Sequence, residues 1–161
     1  MCTTVQSEKE IAQTAKTAEE IWREHYTPLL GEAQVSYMLD KFQSASAIAE
    51  QIAEGYTYFL LEAEEEIVGY VGVVPQEEYL FLSKLYIKKE ARKRGFAAKA
   101  LALVKDFARE NGLSRIRLTV NKGNSGSISV YEHWGFVTVD SVVTDIGEGF
   151  VMDDYVMELA T

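Results

Sequence analysis

Arg92, Lys93, Arg94, Gly95, Phe96 and Ala97 place three cations and a glycine side by side. They follow an apolar, strand-like run over 79–87 and open a helical run over 98–111. A turn of this kind is suited to a phosphate. The first N–H groups of a helix have no acceptor within it, and the helix dipole favours an anion at that end. Gly95 has no Cβ to hold a ligand away from the backbone. The wider charge pattern agrees: Lys84, Lys88, Lys89, Arg92, Lys93 and Arg94 stand against a single acid, Glu90. A charge run is ordinarily a solvated loop. Its coincidence with a glycine turn at a strand–helix junction makes this one a candidate anion site.

The rest of the chain narrows the classes. It has 161 residues, 47% hydrophobic and 25% charged, with a net charge of −9. That length reads as one domain able to bury a core without disulfides or metal. The acidic balance argues against a general nucleic-acid binder, which needs a basic face. The one cysteine, Cys2, lies at an end read as frayed and has no partner for an internal disulfide; this fits a reducing, cytoplasmic setting. No signal peptide is recognised and no apolar run reaches membrane-span length, so no membrane partner is expected. His25 and His133 lack ligand company at a metal-binding spacing, so no metal is expected.

The elements that must hold the turn can be read from periodicity. Helical spacing over 11–26 puts Ile11, Ala18, Ile21 and Trp22 on one face, with Pro28 as its end. A second helical region over 32–54 breaks near Ser44. Trp22, Tyr26, Met38 and Phe42 are read as core. Residues 56–62 and 67–74 form a hairpin around an acidic turn, and 79–87 is a central strand. After the helix over 98–111, capped by Gly112, Ile116, Leu118 and Val120 alternate with polar residues as a strand. Asn124 caps a helix from Ser125 that Gly135 closes, with His133 at the surface and Trp134 in the core. Strands over 137–144 and 150–159 follow. The order predicts a mixed α/β sheet with helices on its faces, and a parallel strand–helix–strand unit over 79–120.

Three phosphate-binding patterns can be compared. No segment fits the P-loop G-x-x-x-x-G-K-[ST], and a dinucleotide fingerprint needs more glycines than the turn has. The third pattern is [QR]-x-x-G-x-[GA], met by Arg92, Gly95 and Ala97. Downstream stand Asn121, Asn124, Ser127, Tyr131, Gly135 and Phe136, one strand and one helix away. Together these resemble the two motifs of the GNAT superfamily of N-acetyltransferases. The strand ending Leu85, Tyr86 and Ile87 and the final strand over 153–159 resemble it too, so the likeness covers nearly the whole chain.

The resemblance implies one GNAT acetyltransferase domain over 1–161. Its α/β fold would be a mixed, mostly antiparallel central sheet with helices on both faces and a parallel strand pair splayed at the cofactor site. It implies direct transfer of an acetyl group from acetyl-CoA, as cosubstrate, to an amine. Backbone amides of Arg94, Gly95, Phe96, Ala97 and Ala98 would cradle the pyrophosphate, with Arg92, Lys93 and Arg94 adding charge. Leu85, Tyr86 and Ile87 would bond the pantetheine arm, and Asn121, Asn124, Ser127 and Tyr131 would contact the cofactor. Tyr131 would be the general acid, since a phenol of pKa about 10 can protonate a departing thiolate of pKa about 8.5. One position departs from the pattern. Polyamine-type members often carry a glutamate on strand four where this chain has Ser83, so the substrate proton would leave through water ordered by Ser83 or through another carboxylate such as Glu24, or the amine would arrive neutral. The acidic composition favours a small cationic amine such as a polyamine; a protein N-terminus or lysine, an amino acid and an aminoglycoside stay open. A homodimer is compatible with the resemblance. The alternative reading is a non-catalytic CoA-binding sensor or interaction module.

Overall fold

The computed structural model describes residues 2–161. The elements are β1 (Cys2–Thr4), α1 (Glu8–Leu30), α2 (Glu32–Gln43), α3 (Ala45–Ala53), β2 (Thr57–Ala63), β3 (Glu66–Pro75), β4 (Leu80–Ile87), α4 (Phe96–Glu110), β5 (Arg115–Asn121), α5 (Ser125–His133), β6 (Val137–Gly147) and β7 (Phe150–Ala160). A short 3-10 turn, Lys89–Ala91, joins β4 to the basic turn. The strands follow the order β1-β2-β3-β4-β5-β7-β6 in a mixed, mostly antiparallel sheet. The expected parallel pair is β4 with β5, Leu80 opposite Ile116 and Phe81 opposite Arg117.

Two compact units divide the chain. The first runs through Val74 and resumes over Leu82–Val104; the second comprises Pro75–Phe81 and Lys105–Thr161. In the second, β5 buries Ile116, Leu118 and Val120 as its alternation predicts. In the first, α1 begins in a capping box, with the Glu10 N–H bonded to Ser7 Oγ at 3.2 Å and the Ser7 N–H to Glu10 Oε1 at 2.9 Å. The break at Ser44 is as expected, and its hydroxyl caps α3 through the Ala47 N–H.

Three readings need correction. Pro28 does not end α1, which continues to Leu30. In the last turn a proline forfeits only one helical bond, and the Gly31 N–H closes the helix onto Thr27 at 2.9 Å. Cys2 does not lie in a frayed end: β1 pairs with β2, Cys2 opposite Leu61. Trp134, Phe42 and Tyr26 are half-buried rather than core, unlike Trp22 and Met38.

The helices of the first unit are tied to its strands by a buried polar chain. Trp22 Nε1 donates to the Tyr70 hydroxyl at 3.0 Å, and that hydroxyl donates to Gln43 Oε1 at 2.6 Å. Gln43 Nε2 donates to the Tyr58 hydroxyl at 3.1 Å, which donates to Gln51 Oε1 at 2.5 Å. Burial pushes the Tyr58 phenol up to about 12 and Tyr70 well above its ordinary value, so both keep the proton they donate. Replacing Gln43 by Leu strips the buried Tyr70 hydroxyl of its only acceptor and the Tyr58 hydroxyl of the donor it receives from, leaving each with one bond, to Trp22 and to Gln51. Such losses cost about 1–3 kcal/mol per group. We expect Gln43→Leu to lose about 2–4 kcal/mol in urea unfolding at unchanged m-value.

Candidate functional site

The basic turn sits where β4 gives way to α4, within the first unit. Its backbone is bent into the left-handed region twice, at Lys93 (φ 64°) and Gly95 (φ 85°). Helix α4 starts at Phe96, two residues earlier than its periodicity suggested, so Phe96, Ala97 and Ala98 are its first turn. Their N–H groups point out of the helix end, and a Cβ built on Gly95 would meet nothing within 4 Å. Lys93 and Arg94 are exposed, and the Arg94 guanidinium lies 5.1 Å from the centroid of the Phe96 ring. The turn therefore offers open backbone donors flanked by cations, as an oxyanion group requires.

Arg92 is employed differently. Its Nε bonds the Ile87 carbonyl at 3.0 Å and its NH2 group pairs with Glu24 of α1 at 2.7 Å. Lys88 pairs with Glu20, one turn earlier on α1, at 3.0 Å. Part of the basic island is thus a brace between the turn and α1, and Glu24 is held by that brace. A cavity of about 550 Å³ opens between these elements, with Lys16, Glu20, Glu66, Lys88 and Arg94 on its wall.

On β4, Leu85 is half-buried, Ile87 is buried and Tyr86 packs edge-on against Trp22 at 5.8 Å. The Tyr86 hydroxyl meets that of Tyr26 at 3.0 Å. Gly69 on β3 makes room for the Tyr86 carbonyl, which a Cβ there would approach to 2.2 Å. Ser83 is beside Lys84, whose Nζ lies 2.9 Å from Ser83 Oγ, 3.1 Å from the Ser83 carbonyl oxygen and 6.0 Å from the Trp22 ring centroid. Lys84 is half-buried as a residue, with its ammonium end turned inward onto Ser83 and Trp22, and that burial holds the ammonium down, to about 8. The sequence counted Lys84 with the solvent-facing cations of the turn; its apolar strand neighbours were the overlooked signal.

The second unit carries the other predicted residues. Asn121 ends β5, and its Oδ1 accepts from the Gly123 N–H at 2.8 Å while its carbonyl accepts from the Asn124 N–H at 2.9 Å. Asn124 is buried and caps α5, its Oδ1 accepting from the Ser127 N–H at 3.4 Å. The expected cap is therefore present, and it ties Asn121, Asn124 and Ser127 into one corner. Tyr131, half-buried at the far end of α5, packs on Phe136 at 5.5 Å and Trp134 at 6.0 Å. His133 is exposed. Opposite Asn121 in the sheet is Asp154, 5% exposed and not singled out by the sequence. Burial, helped by the neighbouring charge of Asp153, raises its carboxyl to about 6, against the opposing pull of Lys122. Among the described residues no group of three or more His, Cys, Asp or Glu is placed to hold a metal, and no helix is long and apolar enough to cross a membrane.

Comparison with known proteins bears on both units. Residues 15–136 match the Acetyltransferase (GNAT) family. The uncharacterized N-acetyltransferase YjgM of Escherichia coli (strain K12) is 32% identical over 90 residues, 53% of this chain and 54% of that protein. Human N-acetyltransferase 8 is 31% identical over 88 residues, 51% of this chain and 39% of that protein. The chain thus spans about half or less of the length of these curated relatives. Among solved structures, the PaiA N-acetyltransferase from Thermoplasma acidophilum in complex with coenzyme A superposes with a TM-score of 0.83. It is 19% identical, with 100% of this chain and 99% of that one covered, a likeness of fold.

Asp154 gives a pH test. Its folded pKa lies above its unfolded value, so the folded state binds the proton more tightly. The cost of ionising it is absent below about pH 4 and complete above about pH 6. Asp154→Asn removes that cost. We expect the variant to gain up to about 3 kcal/mol over the parent at pH 7.5 and nothing at pH 3.5, read from urea midpoints at the two pH values.

Proposed function

Because the chain belongs to the GNAT acetyltransferase family, we propose that it is an acetyl-CoA-dependent N-acetyltransferase acting on a small cationic amine. The observation that carries this is the Arg92–Ala97 turn. Its open left-handed Gly95, its outward N–H groups and its exposed Lys93 and Arg94 form an acceptor for a pyrophosphate at the start of α4. Arg92 serves the same turn by holding it to Ile87 and Glu24.

In this reading the domain runs the length of the chain. Leu85, Tyr86 and Ile87 offer main-chain groups to the pantetheine arm, and the Asn121, Asn124 and Ser127 corner supplies further cofactor contacts. The amine attacks the thioester carbonyl, a tetrahedral oxyanion forms, and the C–S bond breaks. Tyr131 gives its proton to the departing thiolate and is reprotonated, through solvent, by the proton that the attacking nitrogen sheds as it becomes an amide; Ser83 touches the incoming amine. The net charge of −9 suits a cationic acceptor held in the cytoplasm. A homodimer is compatible with this activity.

The test is CoA release from acetyl-CoA over a panel of polyamines, amino acids and peptide N-termini. We expect turnover with at least one small amine. Tyr131→Phe should lower kcat about 10²-fold or more while acetyl-CoA affinity stays within about two-fold. Tight acetyl-CoA binding without CoA release from any amine would replace the transferase by a CoA-binding module, and an undiminished kcat in Tyr131→Phe would remove Tyr131 as the acid.

A further inference from the structure

We propose that Lys84 is the terminal acceptor of the substrate's proton, with the Ser83 hydroxyl as the relay between the amine and Lys84 Nζ. The proposal rests on the transferase reading above and supplies the base that Ser83 cannot itself be. The geometry is that of a relay already assembled. Lys84 curls back along β4 so that Nζ lies 2.9 Å from Ser83 Oγ, and a second bond to the Ser83 carbonyl at 3.1 Å fixes it there. The Trp22 ring closes the other side at 6.0 Å, and that ring is itself fixed by its bond to Tyr70.

The surroundings favour an uncharged amine. No carboxylate pairs with Lys84 among the described residues, which is unusual for a lysine held this tightly. The titratable groups packed about the Trp22 ring that Lys84 faces are the phenol of Tyr86 on β4 and, against Tyr86, those of Tyr70 on β3 and Tyr26 on α1, with His25 packed 4.8 Å from Tyr26. Burial alone depresses its basicity, to about 8, and no neighbouring charge contributes. A lysine titrating there is about a quarter neutral at pH 7.5 and about half neutral at pH 8, and the neutral fraction has a lone pair that can take a proton.

The step balances without a further reactant. A substrate ammonium gives a proton to Ser83 Oγ as the serine's own hydrogen passes to Lys84 Nζ. The products are the free amine, which attacks the thioester, and the Lys84 ammonium, which returns its proton to water after turnover. The charge moved onto Lys84 is the one removed from the substrate, so the pocket's net charge is unchanged.

Two measurements test this. Lysine side-chain NMR, with the Lys84 resonance assigned from Lys84→Met, should give a midpoint near 8, while exposed lysines titrate near about 10.5. A midpoint at 10 or above overturns the proposal. CoA release from acetyl-CoA with spermidine and the amine panel should rise with pH through the same midpoint. Lys84→Arg keeps size and charge but cannot take a proton. It should lose the limb and about 10²- to 10³-fold in kcat at pH 7.5, as should Lys84→Met and Ser83→Ala, with acetyl-CoA affinity unchanged. A Lys84→Arg enzyme with the parental rate and limb overturns the base while leaving the transferase intact. A stable acetyl group on Lys84 after incubation with acetyl-CoA also overturns it, by making Lys84 an acceptor. Failure of every amine to release CoA removes the transferase reading, and the base with it, whatever the NMR midpoint.

Discussion

The first unit depends on a hydrogen-bond chain that runs in only one direction. Trp22 can only donate, so the Tyr70 hydroxyl must receive from it and donate onward to the Gln43 carbonyl oxygen. That fixes the Gln43 amide, whose nitrogen then donates to Tyr58, and Tyr58 in turn donates to Gln51. Each bond is worth about 1 kcal/mol net, but any reversal would strand a buried donor against a donor. No buried side-chain polar atom among the described residues lacks a partner. The chain links α1, α2 and α3 to β2 and β3, so the helices have one seating on these strands rather than several. The orientation of Trp22, and through it the environment of Lys84, follows from that seating.

Electrostatics near the turn is divided between holding and binding. Glu20 and Glu24, one helical turn apart on α1, engage Lys88 and Arg92. These pairs are partly exposed and individually contribute at most about 1 kcal/mol. Their larger effect is positional, because they take two cations out of the island and fix the turn against α1. Lys93 and Arg94 remain exposed beside the open backbone of Gly95. The charge count of the sequence was right, while its assignment of all six cations to one purpose was not.

Local features were legible in the sequence and distant pairings were not. The alternation of Ile116, Leu118 and Val120, the break at Ser44, the Asn124 cap and the glycine turn each follow from neighbours within a few residues. The parallel β4–β5 pair is the exception, a pairing of residues 36 apart that the strand–helix–strand order dictates. Pro28 was misread because a local rule was applied at a helix end where it costs little. Lys84, Asp154 and the Arg92–Glu24 brace could not be read in this way. What a lysine or aspartate does on a strand depends on which rings and charges the fold brings to it, here Trp22 from 62 residues upstream and Asn121 from 33 residues upstream.

The left-handed bends at Lys93 and Gly95 have a further consequence. A non-glycine residue in that region costs about 1 kcal/mol, and the cost here is met when the chain folds. An arriving anion finds the turn already curved, so little ordering entropy is subtracted from its binding. Arrival of the anion should then be governed by diffusion and charge rather than by waiting for a loop to rearrange, and the turn would behave as a rigid socket rather than as a closing hand.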